Sequence, residues 1–221
     1  STTSERLLIL KRRQHHEHDA IVTAFSPQRG RLNLLARGVA KPQSKLAGHL
    51  EPLTIVDGLI VWSQRPLLSS ATSRQSFIGL KDQLAAIVLA GQVINRLLAW
   101  CPTGLALPAA WSDLVALFDF WNQAPRSLAT ITWSAQIVEW RLAHYLGYAP
   151  DLSSGKITDS QIRVSTPVVQ LLEQALADNW LELTKPGPSP TILEQVTDFF
   201  NQWFNFLDNN SFRNFNYNFM Y

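Results

Sequence analysis

A single cysteine, Cys101, stands in 221 residues, which excludes an intramolecular disulfide and any cysteine-built metal centre. A reducing compartment is expected. Charged residues are only 16% of the chain against 46% apolar, with 12 Pro and 10 Gly. That balance excludes a disordered, collagen-like or low-complexity chain. Long clean apolar runs are missing too: the best stretch, Leu84 to Trp100, is interrupted by Gln92, Asn95 and Arg96, short of the roughly 20 residues a bilayer crossing needs. Ser1 to Arg13 lacks a basic segment followed by an apolar one, so no export signal is expected and a cytoplasmic location is. Enzyme signatures are absent: there is no GxSxG, no GxxxxGK[ST], no GxGxxG after a strand and no HExxH.

The charge is uneven. Residues 1–76 hold 11 Lys/Arg against 5 Asp/Glu, while 77–221 hold 8 against 12. The basic part reads as strands: 6–13, 19–25, 31–37, 54–62 and 67–77 are short aliphatic or β-branched runs separated by turn residues. Ser26-Pro27-Gln28-Arg29-Gly30 predicts a hairpin between the second and third runs. Five such strands in about 70 residues predict a small closed barrel of the OB type, with an SH3-like barrel as the competing arrangement.

Near residue 77 the period changes. Apolar residues at 80, 84, 87, 88, 91, 94 and 98 predict an amphipathic helix ended by Pro102. Residues 109–122 predict a short buried helix, and 128–146 another, with Ile131, Ile137, Val138, Leu142, Tyr145 and Leu146 inward and Gly147 as its stop. Thr166-Pro167 predicts an N-cap and first helical position, and Ile192, Val196, Phe199, Phe200, Trp203 and Leu207 stripe a final helix. The expected organisation is α+β: a basic five-stranded OB barrel over 1–77, followed by an acidic all-α domain over 78–221.

Lys11, Arg12, Arg13, Arg29, Arg31, Arg37, Lys41 and Lys45 place eight cations in 35 residues, faced only by Glu17 and Asp19. At the strand ends and loops of one barrel they are expected to converge on a face that neutralises a phosphate backbone. The competing reading is an ordinary solvated charge run. Phe25, Trp62 and Phe77 are expected in the core, so backbone-directed binding is favoured over base stacking. His15-His16-Glu17-His18-Asp19 invites a metal reading, yet five consecutive residues in a turn lack the fixed spacing of a catalytic site. A polar loop is preferred and no metal or cofactor is expected. Cys101, before Pro102, reads as a packed thiol, and His49 and His144 as structural. The chain closes on Ser211 to Tyr221, where aromatic residues alternate mostly with Asn, a terminal strand or a partner contact.

With these residues placed, the string from Asp19 to Leu53 resembles the amino-terminal domain of RecO, the bacterial recombination mediator. The pieces that carry the resemblance are Ser26-Pro27-Gln28-Arg29-Gly30-Arg31-Leu32, Ala36-Arg37-Gly38 and Ser44-Lys45-Leu46-Ala47-Gly48-His49-Leu50-Glu51-Pro52-Leu53. Leu146-Gly147-Tyr148-Ala149-Pro150 is similar to the family's LGY-x-P element. The resemblance implies an OB-fold followed by a helical domain, without enzymatic turnover. It implies binding to single- and double-stranded DNA, annealing of complementary strands, and work with RecR to load RecA onto strands coated by single-stranded DNA-binding protein (SSB), in the cytoplasm at the nucleoid. Arg29, Arg31, Arg37, Lys41 and Lys45 fall where that family places its DNA-binding barrel. Two departures stand out. Many relatives carry a four-cysteine zinc element after LGY-x-P, whereas Asp151-Leu152-Ser153-Ser154-Gly155-Lys156 has no cysteine, so zinc is not expected; and the basic terminal segment of relatives is replaced by the aromatic and Asn-rich tail. Two other classes stay in play: a helical protein-interaction scaffold with a barrel contacting RNA or protein, and, last, a metal hydrolase built on His15 to Asp19.

Overall fold

The computed structural model describes residues 1–152 and 162–210, with side chains through 207. The alternating tail Ser211 to Tyr221 and most of the Asp151 to Lys156 stretch lie outside the described residues. The chain forms two compact units, Ser1–Arg126 and Ser127–Tyr221.

In the first unit five strands, β1 (Thr2–His15), β2 (Asp19–Ser26), β3 (Gly30–Ala36), β4 (Thr54–Val61) and β5 (Leu67–Ser76), close into a barrel in the order β1-β2-β3-β5-β4. All neighbours are antiparallel except β3 and β5, which meet through one parallel bridge at Leu35 and Leu67. This is the OB-fold architecture. Alternate residues point inward because the side-chain period of a strand is two: Leu7, Ile9, Val22, Ala24, Leu34, Val56, Ile60 and Leu68 make the core. Gly58 is inside as well, where a Cβ would press on Leu7 and Leu68 at 2.8 Å. Ser26 pairs with Gly30 to close the Pro27-Gln28-Arg29 turn, and Gly30 has φ +62°. A side chain at Gly30 would also overlap the carbonyl oxygen of Leu105.

The change from strand to helix falls between Ser76 and Ile78, while the compact unit continues through three helices, α1 (Ile78–Lys81), α2 (Leu84–Trp100) and α3 (Pro108–Gln123). The single helix expected from Leu80 is broken at Gln83, whose backbone is extended and whose side-chain amide donates to Gly79 and Trp121 carbonyls at 2.8 Å. The stripe expected on α2 is corrected. Its buried face is Ala86, Ala90, Val93, Ile94, Leu97 and Trp100, whereas Leu84 and Val88 are 79% and 51% exposed. α3 stands over the outer face of the barrel, where Trp111 stacks on Phe25 with centroids 6.5 Å apart. The Asn122 side chain accepts from Gly79 N–H at 2.8 Å and ties α1 to α3.

In the second unit, α4 (Leu128–Tyr145) is buried from Trp133 through Ala143, more completely than a one-sided stripe requires. Tyr145 and Leu146 are only half-buried. Ser127 caps its start, accepting from Thr130 N–H at 3.2 Å, and Gly147 at φ +74° ends it as expected. α5 (Thr166–Gln174) begins one residue earlier than expected, with Ser165 at the N-cap and Pro167 in the first turn. A 3₁₀ turn (Trp180–Thr184) leads to α6 (Pro190–Asn210), whose Val196, Phe199, Phe200, Trp203 and Leu207 are buried. Trp140 is the hub: its ring meets Phe199, Phe200 and Trp203 edge-on at 5.6–6.2 Å, and its N–H donates to the Leu172 carbonyl at 3.0 Å. Buried aromatic clusters of this kind combine large apolar burial with favourable edge-to-face geometry.

Candidate nucleic-acid interface

The positions of the eight cations follow from one irregularity in β1. The register with β2 shifts between Ile9 and Lys11, so Leu10 is an extra residue and the inside-outside alternation inverts beyond it. Lys11 and Arg13 therefore face outward, opposite Thr23 and Ile21, which pair in turn with Asn33 and Leu35 on β3. Arg12 shares the inner side with Val22. It reaches over the mouth of the barrel to the Ala47 carbonyl at 3.3 Å and Glu51 at 3.1 Å.

The segment between β3 and β4 closes that mouth. Val39 and Leu50 are buried in the barrel core. The segment is fastened at several points: Gly38, at φ +66°, donates its N–H to the Asp19 carboxylate at 2.8 Å, Ala40 N–H donates to the His18 carbonyl at 3.0 Å, and Leu53 N–H to the Ile9 carbonyl at 2.9 Å. His49 Nδ1 lies 2.8 Å from the Ser73 hydroxyl and accepts the Ser73 N–H at 3.3 Å, standing in for a strand partner at the β5 edge. Arg37, Lys41 and Lys45 are exposed on this fastened segment. Among the described residues no acidic side chain pairs with Lys11, Arg13, Arg37, Lys41 or Lys45.

The other cations are engaged. Arg29 donates to Glu5 at 2.7 Å and stacks over Trp62 at 4.5 Å, at the end of the barrel where Glu5 also takes bonds from Thr3 and Ser26. Arg31 bonds to the Thr103 hydroxyl at 2.9 Å and to the Leu98 carbonyl, seating the end of α2 on β3. The structure thus gathers five of the eight at the mouth and on the β1-β2-β3 face, and turns Arg12, Arg29 and Arg31 to internal partners. Asp19 is the residue that sequence reasoning missed. It counted there as an opposing charge, and it serves to position the segment that carries Arg37 and Lys41. Its place at the start of a strand, 19 residues before a glycine, carries no recognisable signal.

Phe25 and Phe77 are fully buried, and Trp62 is half-buried beneath Arg29, so the outer face carries no aromatic stacking platform from these three. His15 and His16 rings lie 4.1 Å apart, and among the described residues no three His, Cys, Asp or Glu side chains come together to hold a metal ion. Cys101 is buried, and that burial pushes its thiol pKa up. No helix of the described residues is long and apolar enough to cross a membrane.

Comparison with known proteins extends the geometry. Residues 1–75 match the family model described as "Recombination protein O N terminal". Proteins named "DNA repair protein RecO" are similar over much of the chain. That of Xanthomonas campestris pv. campestris (strain B100) is 30% identical over 166 residues, 72% of this chain and 66% of the relative. That of Hamiltonella defensa is 30% identical over 151 residues, 66% and 61%, and that of Salinibacter ruber 25% identical over 162 residues, 71% and 60%. These matches span about three fifths to two thirds of the relatives' length.

Proposed function

The chain belongs to the RecO family of DNA repair proteins, and on that premise we propose that it is a non-enzymatic recombination mediator whose barrel binds DNA through its phosphates. The observation that carries the reading is the set of five exposed cations with no acidic partner among the described residues, held on the barrel and its fastened segment. Lys11, Arg13, Arg37, Lys41 and Lys45 neutralise phosphates, while the polar outer positions Thr23 and Asn33 between them offer hydrogen bonds but little base-specific shape. Arg12, Arg29 and Arg31 support the interface through the elements they tie together. Phosphate contacts hold a strand and leave its base edges free, and lowered repulsion lets a complementary strand approach, which is the physical route to annealing.

In this reading residues 1–77 are the DNA-binding part and the acidic residues 78–221 are the partner-binding part. The partners are RecR and SSB, and the outcome is RecA loading onto SSB-coated single strands in the cytoplasm at the nucleoid, in recombinational DNA repair. Binding is to single- and double-stranded DNA and requires no cofactor or metal. The test is fluorescence anisotropy with labelled single strands of several sequences across a salt series, followed by annealing of SSB-coated complementary strands. Five phosphate contacts give a log-log salt slope of about −3.5 for single strands, against about −5.6 if all eight cations took part. Absence of binding even at low salt removes the reading.

A further inference from the structure

A second pair of exposed arginines lies on the barrel, separated from the first group by a helix. The outward side chains of β1 run Arg6, Leu8 and then, past the bulge, Lys11 and Arg13. Leu8 is fully buried beside Phe25, whose ring is stacked by Trp111 of α3. The outer surface of β1 is therefore interrupted between Arg6 and Lys11, and the two cationic groups do not form one continuous track along the strand.

Arg6 forms a fork with Asp57, opposite it on β4, through Nε at 3.0 Å and Nη2 at 3.5 Å. Arg74 on β5 donates to the same carboxylate from Nε at 2.6 Å. The two arginine side chains are 56% and 59% exposed and Asp57 only 23%. One carboxylate shared by two guanidiniums leaves a net positive charge, and both arginines keep N–H groups without a partner among the described residues. Planar guanidinium forks suit phosphate oxygens better than point charges do. Arg6 lines two adjoining open clefts of ≈ 900 Å³ and ≈ 320 Å³, shared with Trp111; Arg29, held over Trp62, borders the larger and Arg74 the smaller. The half-buried Trp111 adds an indole on which a base can stack.

We propose that the Arg6–Asp57–Arg74 cleft is a second nucleic-acid site, which holds the phosphates of a separate single strand while a first strand occupies the β1-β2-β3 face. This rests on the DNA-binding reading above and adds a location and a stoichiometry to it. With the bulged Leu10 taken out, Arg6 and Lys11 stand four ladder positions apart, about 13 Å along the strand. Two strands held that close on one barrel meet at a high effective concentration without any contact between their bases being made by the protein.

The test uses the full chain and two non-complementary oligothymidylates, one carrying a fluorescence donor and the other an acceptor. Energy transfer at equal protein and strand concentrations reports simultaneous occupancy. In R6A/R74A, and in the neutral variant R6Q/D57N/R74Q that keeps hydrogen-bonding groups, transfer should fall roughly fivefold or more, and annealing of complementary strands should slow by a similar factor. Affinity for a single labelled strand at limiting concentration should stay within about twofold, because the free cations of the first face are untouched. Unchanged energy transfer in both variants overturns the second site. A loss of single-strand affinity equal to the loss of transfer also overturns it, since it would mean one continuous site. The triple variant K11A/R13A/R37A separates this from the first reading: if that variant binds a single strand as the unaltered protein does, the first face is at fault, whatever happens at Arg6 and Arg74.

Discussion

Replacing Arg37 and Lys41 with alanine removes two of the five cations that have no acidic partner among the described residues and none of the hydrogen bonds that fasten their segment, which run through the Gly38 and Ala40 backbone to Asp19 and His18. The salt slope for single strands should rise from about −3.5 to about −2.1. Between 50 and 200 mM salt the affinity of the unaltered chain should then fall about 130-fold, and that of the double variant only about 18-fold. The loss should be uniform across sequences, because phosphates carry no sequence information. Arg12→Ala is the matched control: its guanidinium is bound to Glu51 and the Ala47 carbonyl, so its removal should leave the slope near −3.5 by the same estimate of about 0.7 per contact. Anisotropy titrations at four or more salt concentrations, with circular dichroism to check the fold, measure all three. The reasoning is refuted if the double variant keeps the unaltered slope, or if Arg12→Ala lowers it as much as a free cation does.

Other consequences follow from the barrel and its surroundings. Gly30→Ala should cost at least about 2 kcal/mol in urea unfolding, because left-handed backbone strains any Cβ by about 1–2 kcal/mol and the added methyl overlaps the Leu105 carbonyl; a cost of only about 1 kcal/mol would mean that the 103–105 turn is not seated on β3, and one under about 0.5 kcal/mol that Gly30 is not left-handed. Hydrogen bonds from Arg6 and then Arg74 hold the Asp57 carboxyl below the ordinary aspartate range. Its contribution to stability is thus present above the ordinary value and lost as the pH falls through the lower, folded-state value. Carboxyl NMR should show a depressed titration that returns to the ordinary range in R6A/R74A, and an unmoved midpoint in that variant would contradict the assignment. Cys101 should react with an aromatic disulfide reagent far more slowly in the native chain than in urea, since burial both screens the sulfur and disfavours the thiolate. Equal rates would show that the end of α2 opens freely.

The barrel was readable because each of its strands is bounded by turn chemistry and its core side alternates cleanly: Leu7 and Ile9, or Val22 and Ala24, repeat at period two. The helical unit was readable where aromatics mark the buried face, as in Val196, Phe199, Phe200, Trp203 and Leu207 of α6. α2 misled for a definable reason. Leu84, Ile87, Val88 and Gly91 form one helical stripe and Ala86, Ala90, Val93, Ile94 and Leu97 another, so a helix whose single charge is Arg96 carries two apolar faces with the same period. Size favoured the first. The structure buries the second, where alanines permit close approach, and it starts the helix at Leu84 because Gln83 spends its side chain on two carbonyls.

The candidate site shows where pattern reading stops. Composition located the charge, and the order of strands located the loops, so a basic barrel end was legible. Which cations are free depends on facts with no local signature. The bulge at Leu10 decides that Lys11 and Arg13, and not Arg12, face outward; the same residues paired in unbroken alternation from Leu8 would send Leu10 and Arg12 outward and turn Lys11 and Arg13 to the inner side. Arg31 is used up by a carbonyl and a hydroxyl 67 and 72 residues away, and Arg12 by a carboxylate 39 residues away. Counting cations along the chain therefore overstates the charge offered to a phosphate backbone. The bulge converts three consecutive basic residues into two outward cations and one brace. Deleting Leu10 would place Lys11 directly after the inward Ile9 and so keep Lys11 and Arg13 outward, in a strand without the bulge.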